Sequence, residues 1–97
     1  MGIGAAIAME EAGHAKGSIP VVSIGGSREG LKAVADSVVY GTIMQSPVIE
    51  TNFMVPFVLN VLEKGMKTGD HFDPYWNFMD MPKVLKANVE KYLPGDW

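Results

Sequence analysis

In a helix opened by Ser46-Pro47, the stretch from Met54 to Leu62 contains a single polar side chain, Asn60. At roughly 100° per residue, its apolar side chains point all round the axis, and a helix of that kind is buried on most sides. The chain has only 97 residues, enough for one small domain at most. What remains of it reads as three short strands and three other helices, which is little cover. A three-stranded parallel sheet would also leave two open edges, which complete proteins normally shorten or cover. The apolar helix is therefore expected to seek a partner. That partner is either a missing part of a larger protein or a second copy, so an isolated fragment is expected to form a dimer or higher oligomer.

The other elements follow from propensity and punctuation. Residues 2–12 are rich in Ala, with Ile3, Ile7 and Met9, and Gly13 supplies a left-handed stop, so a helix is predicted there. Its small side chains suit close packing on a sheet. Pro20 to Ile24 reads as a short apolar strand of the kind covered on both faces. Gly25-Gly26 breaks it, Ser27 is an N-cap, and Leu31, Val34, Ala35 and Val38 have helical spacing. A second strand is predicted at Tyr40 to Gln45. The helix from Pro47 should run to Lys64 and stop at Gly65, with a kink near Asn52 because Pro56 removes its donor. Met66 to Pro74 reads as a polar loop, Trp76 to Met81 alternates like a strand, and Lys86 to Leu93 reads as a last helix ended by Pro94-Gly95. Alternating helices and strands imply an α/β fold, a partial three-layer, Rossmann-like parallel sheet with helices on both faces.

Composition removes several classes of function. Apolar residues make up 47% and charged residues 20%, which argues for a globular chain rather than a disordered one. Eight Lys/Arg stand against eleven Asp/Glu, for a net charge of −3, with no basic stripe to release counterions from nucleic acid. No nucleic-acid partner is expected. Without cysteine there is no disulfide, zinc thiolate or thiol catalysis. The run Met1 to Met9 contains Ala6-Ile7-Ala8 but lacks a basic start, and Glu10-Glu11 follow at once, so it does not read as a signal peptide. Met1-Gly2 opens like a myristoylation signal, yet Ala6 stands where Ser or Thr is required.

The order of motifs resembles the C-terminal third of type I periplasmic solute-binding proteins, the ribose-binding-like sugar receptors of ABC transporters. The matching segments are Met1-Gly2-Ile3-Gly4-Ala5-Ala6 leading to Glu11-Ala12-Gly13, then Ile19-Pro20-Val21-Val22-Ser23-Ile24-Gly25-Gly26. After them come Gly41-Thr42-Ile43-Met44-Gln45-Ser46-Pro47 and the tail Lys86-Ala87-Asn88-Val89-Glu90-Lys91-Tyr92. The resemblance implies two α/β lobes joined by three crossover strands, with a sugar held in the cleft between them. Residues 1–45 would then belong to the C-terminal lobe. Residues 46–75 would supply a helix and loop of the N-terminal lobe, and 76–97 a crossover strand and a returning C-terminal helix. A periplasmic location, a monosaccharide ligand, the absent N-terminal lobe and an ABC permease are the implied setting and partners. The alternative with the same architecture is the effector-binding core of a lactose-repressor-family regulator, which a helix-turn-helix upstream would reveal, as a signal peptide would reveal the transporter protein.

The resemblance places two candidate ligand-binding positions in this chain. Gln45 matches the amide that ends a crossover strand and would bond a sugar hydroxyl, or else tie down the crossover backbone. Gly25 occupies the place where the family usually has an Asp, so that carboxylate contact is absent here. A further pocket Asp would lie just upstream of Met1. Ser23, Ser27 and Arg28 either border the cleft or are ordinary loop polarity. Read without the family, Gly2-x-Gly4 and Gly25-Gly26-Ser27 are candidates to cradle a phosphate, but neither has a full dinucleotide or P-loop pattern. Asp70-His71-x-Asp73 has ligand types for a metal, although three close residues on a loop are usually only solvated charge. His14 follows a helix end, where a cation is favoured. Trp76, Phe78 and Trp97 are candidates to stack on a sugar, although aromatics here more often pack against neighbouring helices, and the seven Met residues read as core filler. No nucleophile, base and orienting group assemble from the sequence, so no enzyme, cofactor or metal site is expected.

Overall fold

A computed structural model of the chain describes residues 1–67, 69, 70 and 81–97. It is a mixed α/β structure in the order α1 (Gly2–Glu11), β1 (Val22–Gly25), α2 (Arg28–Ala35), β2 (Gly41–Met44), α3 (Pro47–Glu63), β3 (Lys83–Leu85), then a 3-10 turn at Val89–Lys91. The α/β expectation holds, and the first five elements fall where propensity places them, within two residues at each end except that α2 stops at Ala35, three residues before Val38.

The sheet differs from expectation. Its order is β1-β2-β3, with β1 and β2 parallel but β2 and β3 antiparallel, so it is mixed rather than parallel. The strand expected at Trp76 to Met81 falls mostly outside the described residues, and Met81 itself is not in a strand. The third strand is Lys83–Leu85, whose single buried side chain, Val84, gives too short a pattern to stand out in sequence. The last helix is also a correction: Lys86 to Leu93 holds only the 3-10 turn. Asn88 is the reason, because its Oδ1 accepts from Leu85 N at 2.8 Å and its Nδ2 donates to Lys83 O at 3.0 Å. Such side-chain bonds compete with helix formation.

Three helix ends share one device. At Gly13, Ser37 and Gly65 the backbone turns left-handed, with φ of 89°, 57° and 60°. In each case that residue and the next donate back into the last turn: Gly13 to Glu10 O and His14 to Met9 O, Ser37 to Val34 O and Val38 to Ala33 O, Gly65 to Leu62 O and Met66 to Val61 O. Paired bonds of this kind satisfy the orphan carbonyls of a helix end. Ser37 does so with a side chain, which glycine would avoid.

The core lies on one face of the sheet. Leu31, Ala33 and Val34 of α2 pack with Val39, Met44, Val84 and Val89. α1 packs on α2 and beside β1, burying Ala6. Residues in one ladder row share a face. Ser23, Thr42 and Val84 form the row beneath the helices, whereas Val22 with Leu85 and Ile24 with Ile43 point the other way. On that second face no helix of the described residues packs, and Val22 and Ile24 are each 70% exposed. Helices on both faces were expected; one face is covered. α3 buries none of its residues.

Candidate functional site

The carboxyl ends of β1 and β2 lie side by side, and the candidate positions meet there. Gln45 N donates to Gly25 O at 2.7 Å, extending the parallel ladder one step beyond the strands. The Gln45 side chain is exposed, with Nε2 donating to Glu50 Oε1 at 2.6 Å. Gly25 takes a φ of 143° and Gly26 one of 82°. A Cβ on Gly26 would stand 3.0 Å from Met44 Cγ and 3.2 Å from its Cα. The glycine pair is thus required by the backbone: residues with side chains rarely adopt these angles, so an Asp at position 25 would carry strain.

The helices leaving this edge are fixed by their caps. Ser27 accepts from Gly30 N at 3.2 Å and starts α2, and Ser46 accepts from Ile49 N at 3.3 Å and starts α3 with Pro47 behind it. Both caps were legible from residue type. Ser46 is buried, and its hydroxyl donates to Asp96 Oδ2 at 2.5 Å. Arg28 N donates to Trp97 O at 2.8 Å, and Arg28 Nε reaches Gly95 O at 3.5 Å. The tail Gly95–Trp97 therefore lies across the starts of both helices. Gly95 permits this close approach, since a Cβ there would be 3.2 Å from Arg28 Cγ and from Leu31 Cδ1.

Asp96 is the residue that sequence reasoning missed. It stands fifty positions from Ser46, and Pro94-Gly95 reads only as a helix end, so no local pattern joins the two. The resulting edge carries the Gln45 amide, the carboxylates of Glu50 and Asp96, and the Arg28 guanidinium. Amides and carboxylates are donors and acceptors of the kind that read hydroxyl groups.

Other candidates are dispersed. Ser23 is half-buried beneath α1, where a Cβ on Gly2 would come within 2.7 Å of its own Cβ, so it packs rather than borders a cleft. Gly2 and Gly4 are helical, and the Arg28 and Gly30 amides that might cradle a phosphate already bond Trp97 O and Ser27 Oγ. His14 lies at the opposite end of the sheet, among Ala6, Met9, Glu10 and Lys16. Asp70 closes its own turn, accepting from Lys67 N at 2.7 Å. His71 and Asp73 of the possible metal cluster, and Trp76 and Phe78, lie outside the described residues. Among the described residues no three His, Cys, Asp or Glu side chains converge, and no helix is long and apolar enough to cross a membrane.

No protein-family model, no curated protein and no solved structure matches the chain.

Proposed function

We propose that the chain is the C-terminal portion of a two-lobed periplasmic solute-binding protein that delivers a sugar to an ABC permease, on an incomplete Rossmann-like sheet. The observation that carries this reading is the joint at the strand ends. Gln45 is held beside Gly25 by a backbone bond, and two residues later the chain leaves the lobe as α3, which buries nothing against it. Ligands of open α/β sheets bind beyond the carboxyl ends of parallel strands, which is where Gln45, Glu50, Asp96 and Arg28 gather. α3 would carry its apolar surface to the N-terminal lobe, and β3, already part of this sheet, would bring the chain back. The role is binding by closure of two lobes rather than catalysis.

The test is complementation. The chain, mixed with the N-terminal lobe of a ribose-binding-type receptor, should give a 1:1 complex that binds a monosaccharide, measured by calorimetry over ribose, glucose and galactose. Loss of one bond to a hydroxyl leaves a buried polar group unpaired, so Gln45→Ala should weaken binding by about tenfold or more. A complex whose sugar affinity ignores Gln45, or no complex at all, would count against the proposal.

A further inference from the structure

The chain carries two large apolar surfaces that do not meet each other. The first is the uncovered sheet face, a hollow of about 830 Å³ with Val22, Ile24, Ile43 and Leu85 at its floor. The second is one side of α3. Met54, Val55, Val58, Leu59 and Leu62 are 46% to 69% exposed, and they lie within an arc of about 140° of the helix circumference. Phe53, Phe57, Asn60 and Val61 are on the other side and are half-buried. The apolar helix that looked bare all round in sequence thus has one defined open face.

α3 does not cover its own sheet because its direction is set at the joint. Gln45 is tied to Gly25, and Ser46 is buried, capping α3 and bonded to Asp96. Only these two residues separate β2 from α3. A second copy has no such restraint. We propose that two copies of this chain exchange α3 reciprocally, each seating the Met54–Leu62 face on the other's bare sheet face.

Shape, area and charge support that occupant. A helix laid on a sheet face is the usual way an α/β sheet is covered. α3, with 17 residues, is about 25 Å long and spans three strands. The chain exposes 7053 Å², about 1,600 Å² more than the roughly 5,400 Å² of a compact chain of this mass. Each partner in a standard interface contributes about 800 Å², and Val22, Ile24 and the Met54–Leu62 face offer exposed apolar surface to such a contact. The charged side chain in the sheet row of Ile24 and Ile43 is Lys83, and Glu63 lies one turn beyond Leu59 on α3, giving opposite charges at the end of the seat. The contact is isologous, since each copy gives one helix and receives one, and so it closes at two.

This inference rests on the two bare surfaces and concerns the chain without the added lobe, which in the carbohydrate reading would take the same α3 face. The chain has no cysteine, which makes the test direct. Chains carrying Val58→Cys and differently tagged chains carrying Ile43→Cys are mixed and oxidised, and light scattering gives the mass of the unmodified chain at several concentrations. The expected result is twice the single-chain mass, with mixed disulfides far exceeding either self-pairing. Val55→Asp with Leu59→Asp should return the chain to single mass with its circular dichroism kept, because both side chains are exposed in one copy. A single-chain mass, an open-ended series of assemblies, or Val58 cysteines pairing mainly with each other would overturn the exchange. The readouts are distinct, the mass and cross-linking of the chain alone here and sugar binding with the added lobe there, so the two readings fail separately.

Discussion

The two faces of the sheet are built from the same three strands and have opposite fates. Beneath α2 and the 3-10 turn, Leu31, Val34 and Val84 are wholly buried and Val89 is 1% exposed. On the other face Val22 and Ile24 of the same β1 stand in water, and α3 adds a second open apolar surface. The difference is one of cover rather than composition. α2 must cross from β1 to parallel β2, and that crossover lays it over one face, whereas no connection within the described residues crosses the other. The more apolar face, with Val22, Ile24, Ile43 and Leu85, is thus the one that no described helix covers.

The sharpest way to break this comparison is to truncate one side chain from each region. Leu31→Ala should cost about 2–5 kcal/mol through lost burial and a residual cavity. Leu62→Ala, at 69% exposure, should stay within about 0.5 kcal/mol in dilute, dissociated chains. Urea unfolding checks both, and equal losses would mean that α3 is packed within a single chain. At the joint between the regions, Gly26→Ala forces a side chain onto φ of 82° and against Met44, for an expected loss of roughly 1–3 kcal/mol. An unchanged unfolding midpoint would show that the strand ends are looser than described.

Ser37→Gly has the opposite sign. It relieves a left-handed residue at the end of α2 and gives up only the exposed bond from Lys86 Nζ, so the thermal midpoint should rise, by up to about 1 kcal/mol of stability. The smallest effect is electrostatic. The hydrogen bond from Lys32 to Asp36, at 2.7 Å, and then the Lys32 charge hold the Asp36 carboxyl below its ordinary value. A lowered folded value means stability that is present above the unfolded carboxyl's value of about 3.9 and lost as pH falls through the lower folded one. Both groups are exposed, so solvent screens the pair. A carboxyl titration followed by NMR should show Asp36 moving up in Lys32→Met.

Much of this was legible from local chemistry. Ser27 and Ser46-Pro47 mark helix starts because a hydroxyl and a proline satisfy or remove the orphan donors of a first turn, wherever the helix lies. Gly13 and Gly65 mark ends for the matching reason at carbonyls. Gln45 and Gly25 were singled out by the resemblance alone, and the bond that sets them side by side belongs to the parallel pairing of β1 with β2. What failed was whatever depended on distant partners. β3 at Lys83–Leu85 was not foreseen because a three-residue strand has no period to read, and it becomes a strand only by pairing with β2. The last helix gave way to a 3-10 turn because Asn88 captures the backbone of β3.

By itself the sequence determined the α/β class, the helix caps, the glycine break after β1, and the presence of an apolar helix from Pro47. Each depends on groups within a few residues of one another, whose preferences survive in any context. The tertiary structure decided the antiparallel third strand, the Ser46–Asp96 bond across fifty residues, and which face of the sheet is covered. Those outcomes depend on chain direction and on contacts between remote segments, where a single local pattern is compatible with several arrangements and packing selects among them.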